Sequence, residues 1–469
     1  MITRRKFVVG AAAITASSAV ISKLDATATN APHAERAPQG ESVSQESLPP
    51  GEPGRDYTPV ITPNNVSLPW KLVDGVKVYH LIAEPVRHEI APGLVIEGWG
   101  YNGRIHGPTI EAVEGDRVRF YVTNKLPAPT SIHWHGILLP NGMDGVSGLT
   151  QKGIQPGETF KYEFTLRQHG THMYHPHHDE MTQIAMGMMG LFIIHPRHPQ
   201  GPRPDRDFAL LTSEWRIDVG TSRPNPNEMT DFNIFTFNAK AFPGTEPLVA
   251  KLGDRVRIRL GNTGAMSHHP IHLHGYQFKV TGTDGGQTPE SAQRPDTTTL
   301  VPVGTTRTLD FVANAPGDWA LHCHMTHHTM NQMGHRFPNL IGINTEGLGK
   351  KIGRLLPGYM TMGTEGMGDM GEMGMKTPKN SIPMVGADGP FDYITMGGLF
   401  TMLKVREGIA SYADPGWYQH PPGTVAEIAS DEDLKKDGIE MGVAMKTAAL
   451  PVKDDAWCDT KAFAQARVK

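Results

Sequence analysis

Eight histidines fall into four His-x-His pairs: His133-Trp134-His135, His175-Pro176-His177, His272-Leu273-His274 and His322-Cys323-His324. Residues two apart in a strand face the same side, so each pair aims two imidazoles at one point. Eight convergent imidazoles exceed what a lone four-coordinate zinc accepts and point to a multinuclear metal centre. Imidazole ligation is compatible with copper without singling it out. Cys323 settles the metal. Strand alternation turns it to the face opposite His322 and His324, toward a second site, where it can join His269, His328 and Met333. Two imidazoles, a thiolate and a weak axial thioether form the trigonal blue-copper arrangement used for one-electron transfer. The strand therefore wires two centres together through neighbouring residues about 3.3 Å apart along its axis.

Such pairs need strands to present them, and the chain supplies them. Between about Val66 and Gln200, short alternating runs such as Arg117–Val122 and Phe160–Phe164 are separated by Gly, Asn and Pro turns, which predicts one β-sandwich. A second unit, from about Asp207 to Thr345, has strand candidates at Leu248–Ala250, Val256–Leu260, Phe278–Val280 and Thr308–Val312. The phrases Val113-Glu114-Gly115-Asp116-Arg117-Val118-Arg119 and Lys251-Leu252-Gly253-Asp254-Arg255-Val256-Arg257 repeat one another, each followed by a turn Asn and a His-x-His pair. Self-similarity of this kind marks tandem domains of one fold. With 52 Gly and 38 Pro in 469 residues, a helical bundle is disfavoured. A net charge of -4 with 20% charged residues argues against a nucleic-acid face.

These four phrases resemble those of the multicopper oxidases, which include laccases and metal oxidases, over residues from about 66 to 345. The resemblance implies an all-β protein of two tandem cupredoxin-like Greek-key sandwiches, with domains at 66–200 and 201–345. It makes His269, Cys323, His328 and Met333 the type 1 copper ligands, and His133 and His272 the type 2 ligands. The type 3 pair takes His135, His175, His177, His274, His322 and His324, giving four coppers per functional unit. Asp144 resembles the acidic residue that supplies protons to the oxygen-reducing cluster. Two departures stand out: Pro176 replaces a common Ser, and Thr326 and Thr329 stand where some relatives carry an acid. Proton delivery then leans on Asp144, with Asp179 or Glu180 as helpers. His268, His327 and His335 are read as structural neighbours, and Met186, Met188 and Met189 as core.

No room remains for the copper-free spacer domain of three-domain relatives. The chain thus resembles the two-domain laccase-like enzymes, in which a homotrimer completes each cluster between neighbouring chains. The ends read differently from the middle. Thr3-Arg4-Arg5-Lys6-Phe7, an apolar run and Ala26-Thr27-Ala28 resemble a twin-arginine export signal over 1–28, which predicts a periplasmic or secreted protein with no membrane span after cleavage. Residues 29–65 read as a flexible leader, and 346–469 as a separate extension, Met-rich at 357–375. Only Cys323 and Cys458 are present, which excludes a disulfide framework, and Cys458 is assigned no role. The function expected is one-electron oxidation of a metal ion, such as Cu(I), or of a phenol, coupled to reduction of dioxygen to water. A copper-buffering protein without turnover and a copper nitrite reductase are the alternatives.

Overall fold

The computed structural model describes residues 49–218, 220–331, 354–355 and 379–439. The export signal, residues 29–48 of the leader, Met333, His335, the Met-rich segment and Cys458 lie outside the described residues.

Two β-sandwiches follow one another. In the first, one sheet orders Trp70–Val73, Val76–Ala91, Arg117–Asn124 and Thr159–Thr165, with Leu94–Tyr101 also paired to Val76–Ala91. The facing sheet orders Ile110–Val113, Gly190–His195, Gly170–His175 and His133–His135. Alternation drives this packing: Val118, Phe120 and Val122 are buried, while Arg117 before them and Tyr121 among them are exposed. Trp134, fully buried, fills the space between the sheets, with its ring 4.3 Å from that of Phe120. Placing Trp134 inward forces His133 and His135 outward on the other face of the same strand.

The second sandwich repeats this plan down to its hydrogen bonds. Val76–Ala91 runs parallel to Arg117–Asn124, as Arg206–Trp215 does to Arg255–Asn262. The repeated Gly-Asp phrase is a turn. Gly115 and Gly253 hold φ of +87° and +96°, and Asp116 and Asp254 accept the amides of Val113 and Lys251 at 2.9 and 2.8 Å. The turn asparagines match as well. Asn124 donates to the carbonyl of Ile154 at 2.8 Å, and Asn262 to that of Val301 at 3.0 Å.

The domain limits differ from the sequence expectation at both ends. The second sandwich is closed by Phe400–Arg406, which pairs parallel to Leu248–Lys251 and antiparallel to Gly317–Cys323. A limit at 345 therefore removes a strand of that domain, and 346–469 is not wholly separate from it. The signal was in the repeat: Gly398-Leu399-Phe400 echoes Gly190-Leu191-Phe192, which opens the last strand of the first sandwich. At the other end, part of the expected leader is seated. The Gly51 amide donates to Asp116 at 3.0 Å and that of Val60 to Glu111 at 2.9 Å, while Tyr57 stacks on His195 at 4.0 Å. Pro- and Glu-rich composition masked the few apolar anchors, Tyr57 and Val60, that bury here.

Candidate metal centres

Two histidine quartets and one mixed His-Cys group gather on the facing sheets. The first quartet grows from adjacent strands, whose register sets His133 opposite His175. His133 donates its Nδ1–H to the carbonyl of Asp144 at 2.8 Å, and His175 donates its Nδ1–H to that of Pro176 at 2.9 Å. A carbonyl can only accept, so both rings leave Nε2 unprotonated and free to bind a metal. His135 Nδ1 lies 3.2 Å from His175 Nε2, and the His177 ring centroid lies 5.6 Å from that of His133. Burial pushes the His175 imidazole down to about 3 and lowers that of His135 as well.

The second quartet is built alike. His272 donates Nδ1–H to the Thr297 carbonyl at 2.7 Å, and His322 donates to that of Cys323 at 2.8 Å. His274 Nε2 and His322 Nε2 lie 3.0 Å apart, and the His324 ring centroid is 5.6 Å from that of His272. Among the described residues, no hydrogen bond or ring contact joins one quartet to the other.

Behind the second quartet, on the opposite face of the same strand, Cys323 meets His269 and His328. Its Sγ lies 3.7 Å from His269 Nδ1 and 3.4 Å from His328 Nδ1, and the two nitrogens are 3.1 Å apart. Cys323 and His269 are fully buried, and the Phe235 ring stacks on His328 at 4.0 Å. Burial raises the Cys323 thiol to about 12 and depresses the imidazoles of His269 and His328 to about 3 and about 4. The three donors close a trigonal set around a buried point.

The description "Multicopper oxidase" fits two stretches of this chain, the sequence models of that name matching residues 85–199 and 218–341. The chain belongs to the multicopper oxidase family. It is similar to copper resistance protein A of Escherichia coli, 27% identical over 62% of this chain and 56% of that protein. It is also similar to a multicopper oxidase of Mycobacterium tuberculosis, 30% identical over 44% of this chain and 46% of that one. Among solved structures, a blue copper oxidase from Nitrosomonas europaea superposes with a TM-score of 0.52 at 26% identity, covering 70% of this chain and 85% of its own. The chain spans about half the length of the curated relatives it matches.

The family implies copper, and the donors of this multicopper oxidase fit it. A metal with bonds of roughly 2.0–2.3 Å to nitrogen and sulfur spans ligand edges of about 3.5 Å in a trigonal plane, which the 3.1, 3.4 and 3.7 Å edges around Cys323 match. The Nε2 of His269 is buried and has no hydrogen-bond partner among the described residues, which marks a ring held by packing with Nδ1 turned to the sulfur.

Other candidates sort by register. Glu180 stands beside the first quartet, 3.3 Å from His175 Nδ1 and 3.9 Å from His177 Nε2. Asp179 is exposed one residue earlier, at the start of the short helix Glu180–Ala185. The Asp144 carboxylate lies 3.4 Å from His133 Nδ1. His268 accepts the Val303 amide at 3.1 Å, a structural role, and Met186, Met188 and Met189 are core. Thr329 caps its own loop by donating to Thr326 at 2.9 Å. Sequence reasoning missed Phe235 and Asn331. The buried Asn331 carboxamide accepts the Gly398 amide at 3.0 Å and donates to Pro383 at 3.1 Å, tying down the loop that carries His328.

Proposed function

We propose that this chain is an oxidase that takes electrons singly from a reducing substrate and passes four of them, with four protons, to one dioxygen, forming two waters. The observation that carries the reading is the strand Gly317–Cys323, which turns Cys323 toward His269 and His328 and turns His322 toward the second quartet. The His322 Nδ1–H bond to the Cys323 carbonyl adds a second link between the groups.

Under this reading His269, Cys323, His328 and Met333 hold type 1 copper, and His133 with His272 holds type 2. His135, His175, His177, His274, His322 and His324 hold the type 3 pair, for four coppers per functional unit. Bound copper supplies the one-electron redox chemistry. The protein fixes ring orientation through the carbonyls of Asp144, Pro176, Thr297 and Cys323, and holds protons on Asp144 and Glu180 beside the first quartet.

A homotrimer completes the clusters. Its support is that the quartets do not meet within the chain and that each is open on one side, with His274 and His324 exposed and His133 and His177 half-exposed. Apolar side chains lie bare on neighbouring segments: Leu138 and Leu149 by the first quartet, Leu300 and Met325 by the second. Among the described residues, no helix is long and apolar enough to cross a membrane. The twin-arginine-like start supports export to the periplasm or beyond. Cu(I) is the first substrate to test, given the name of the similar Escherichia coli protein and the thioethers from Met360 to Met375.

The deciding experiment is oxygen uptake by copper-loaded protein with Cu(I), Fe(II), Mn(II) and a phenol side by side. One dioxygen consumed per four electrons, without peroxide, is expected. Copper binding without oxygen uptake would instead indicate buffering, and nitric oxide released anaerobically from nitrite would indicate a nitrite reductase. Replacing the six methionines between Met360 and Met375 with Leu is expected to slow Cu(I) oxidation more than phenol oxidation.

A further inference from the structure

Past the strand that closes the second sandwich, the chain is first clamped and then released. Lys404 pairs with Asp414 at 2.7 Å, and the Arg406 guanidinium donates to the Gly416 carbonyl at 2.7 Å and to Asp318 at 2.6 Å. Asp318 also accepts the Tyr418 amide at 2.8 Å. The Arg206 guanidinium lies over the Tyr412 ring at 3.8 Å, and the Tyr412 hydroxyl donates to Asp254 at 3.1 Å. Asp318 and His322 stand four residues apart on one strand, so they share a face about 13 Å along it. The clamp therefore lies on the sheet face that presents the second histidine quartet.

Beyond the clamp, the chain leaves the surface. From Gln419 to Ile439 every residue is exposed except the half-buried Leu434, and the Ile428 side chain is 98% exposed. Among the described residues, the hydrogen bonds of 421–439 all close within the segment, such as the Thr424 amide to Pro421 at 3.2 Å and the Ile439 amide to Leu434 at 2.8 Å. The helix Asp431–Lys436 is well coded, with the Ser430 hydroxyl accepting the Asp433 amide at 3.1 Å, acids in its first turn and lysines in its last. Its length is far below the roughly 12–15 residues a helix needs to hold in water without packing. Such a segment needs a surface to lie on, and its own chain does not supply one.

A complementary surface exists beside the first quartet. Leu138 and Leu149 are 62% and 79% exposed. The Leu138 amide donates to Gln168 at 2.6 Å, Gln168 donates to Gly136 next to His135 at 2.7 Å, and the Ser147 amide donates to the His177 carbonyl at 3.4 Å. Both leucines thus flank the quartet, with Lys152 and Arg167 exposed next to them. The segment offers the converse, apolar Val425 and Ile428 among Glu427, Asp431, Glu432, Asp433 and Asp437, against Lys435 and Lys436 alone.

We propose that residues 419–439 form an arm that docks on a second copy of this chain, across the rim of its first quartet at Leu138 and Leu149. The inference rests on the homotrimer reading, in which that rim meets the face of the neighbouring chain that carries the second quartet and the clamp. The residues between Tyr418 and the helix reach up to about 40 Å when extended, enough to cross such a seam. The arm lies outside 85–199 and 218–341, the stretches matched to the family, so its docking is a feature of this chain rather than of the shared sandwiches.

The test uses full-length, copper-loaded protein in which Cys458→Ser removes one thiol and the other, Cys323, is fully buried. Ile428→Cys is labelled with a maleimide benzophenone and irradiated. Covalent species larger than one chain are expected, joined between position 428 and residues 137–168 of another copy. Ile428→Glu, at a side chain that packs against nothing in its own chain, is expected to raise the dissociation constant of the trimer about tenfold or more, with circular dichroism unchanged. In protein that sediments as a trimer, crosslinks confined to one chain, or Ile428→Glu trimers as stable as the parent, would overturn the proposal. Protein that sediments as a monomer would sink the homotrimer reading, and the docking of the arm with it.

Discussion

His133 donates its Nδ1–H to the backbone carbonyl of Asp144 at 2.8 Å, while the carboxylate of the same residue stands 3.4 Å from the same nitrogen. One residue thus offers two separable services. The carbonyl orients the ring, and the side chain can hold a proton at the quartet. Asp144→Asn keeps the first and removes the second. Oxygen reduction is expected to fall about a hundredfold with copper content unchanged. Equal loss of copper and activity would show that the carboxylate serves metal binding rather than proton supply.

Cys323→Ser should abolish the blue colour, because the colour requires a copper-thiolate bond, while copper stays with the histidine quartets. Absorption spectra and copper counting on the same sample check this. A serine variant that stayed blue would remove Cys323 from the site.

Gly398→Ala sets a side chain against the His328 carbonyl and forces a left-handed backbone on a residue with a Cβ. A loss of at least about 2 kcal/mol in unfolding free energy is expected, together with weakened thiolate-to-copper absorption. Urea titration of the metal-free protein separates the two effects, and wild-type stability would show that the turn relaxes.

Sedimentation should find a trimer, and Leu149→Lys with Leu300→Lys should dissociate it, since both side chains lie exposed on segments beside the quartets. Monomers that kept full copper and oxidase activity would show that one chain suffices.

The acid limb of the stability curve should carry the mark of His106. Its Nδ1–H donates to Gly187 at 3.0 Å, Nε2 accepts from the Ser213 hydroxyl at 2.8 Å, and burial depresses its pKa to about 3. Below about pH 6.5 the unfolded chain takes up a proton that the folded state refuses until about pH 3. The stability held above pH 6.5 is therefore lost as pH falls through that window, at about 1.4 kcal/mol per pH unit for one proton. Metal-free His106→Gln should be less stable at pH 7 yet lose stability less steeply on acidification. Identical slopes would show that His106 is charged in the folded protein.

The sequence by itself determined the chemistry. Period-two alternation places His133 and His135 together and Cys323 opposite its neighbours, and the repeated Gly-Asp turns announce two copies of one sandwich, because these are local properties of strands and turns. Tertiary structure decided what depends on chain segments far apart. Phe400–Arg406 returns to close a sheet begun at Leu248, and no local pattern records which strand a distant segment will pair with. The seat of Tyr57 on His195, the stacking of Phe235 on His328 and the placing of Leu399 opposite Cys323 are likewise products of long-range pairing. Register across a sheet is fixed by burial and hydrogen bonding of the assembled strands, and it exists only once they meet.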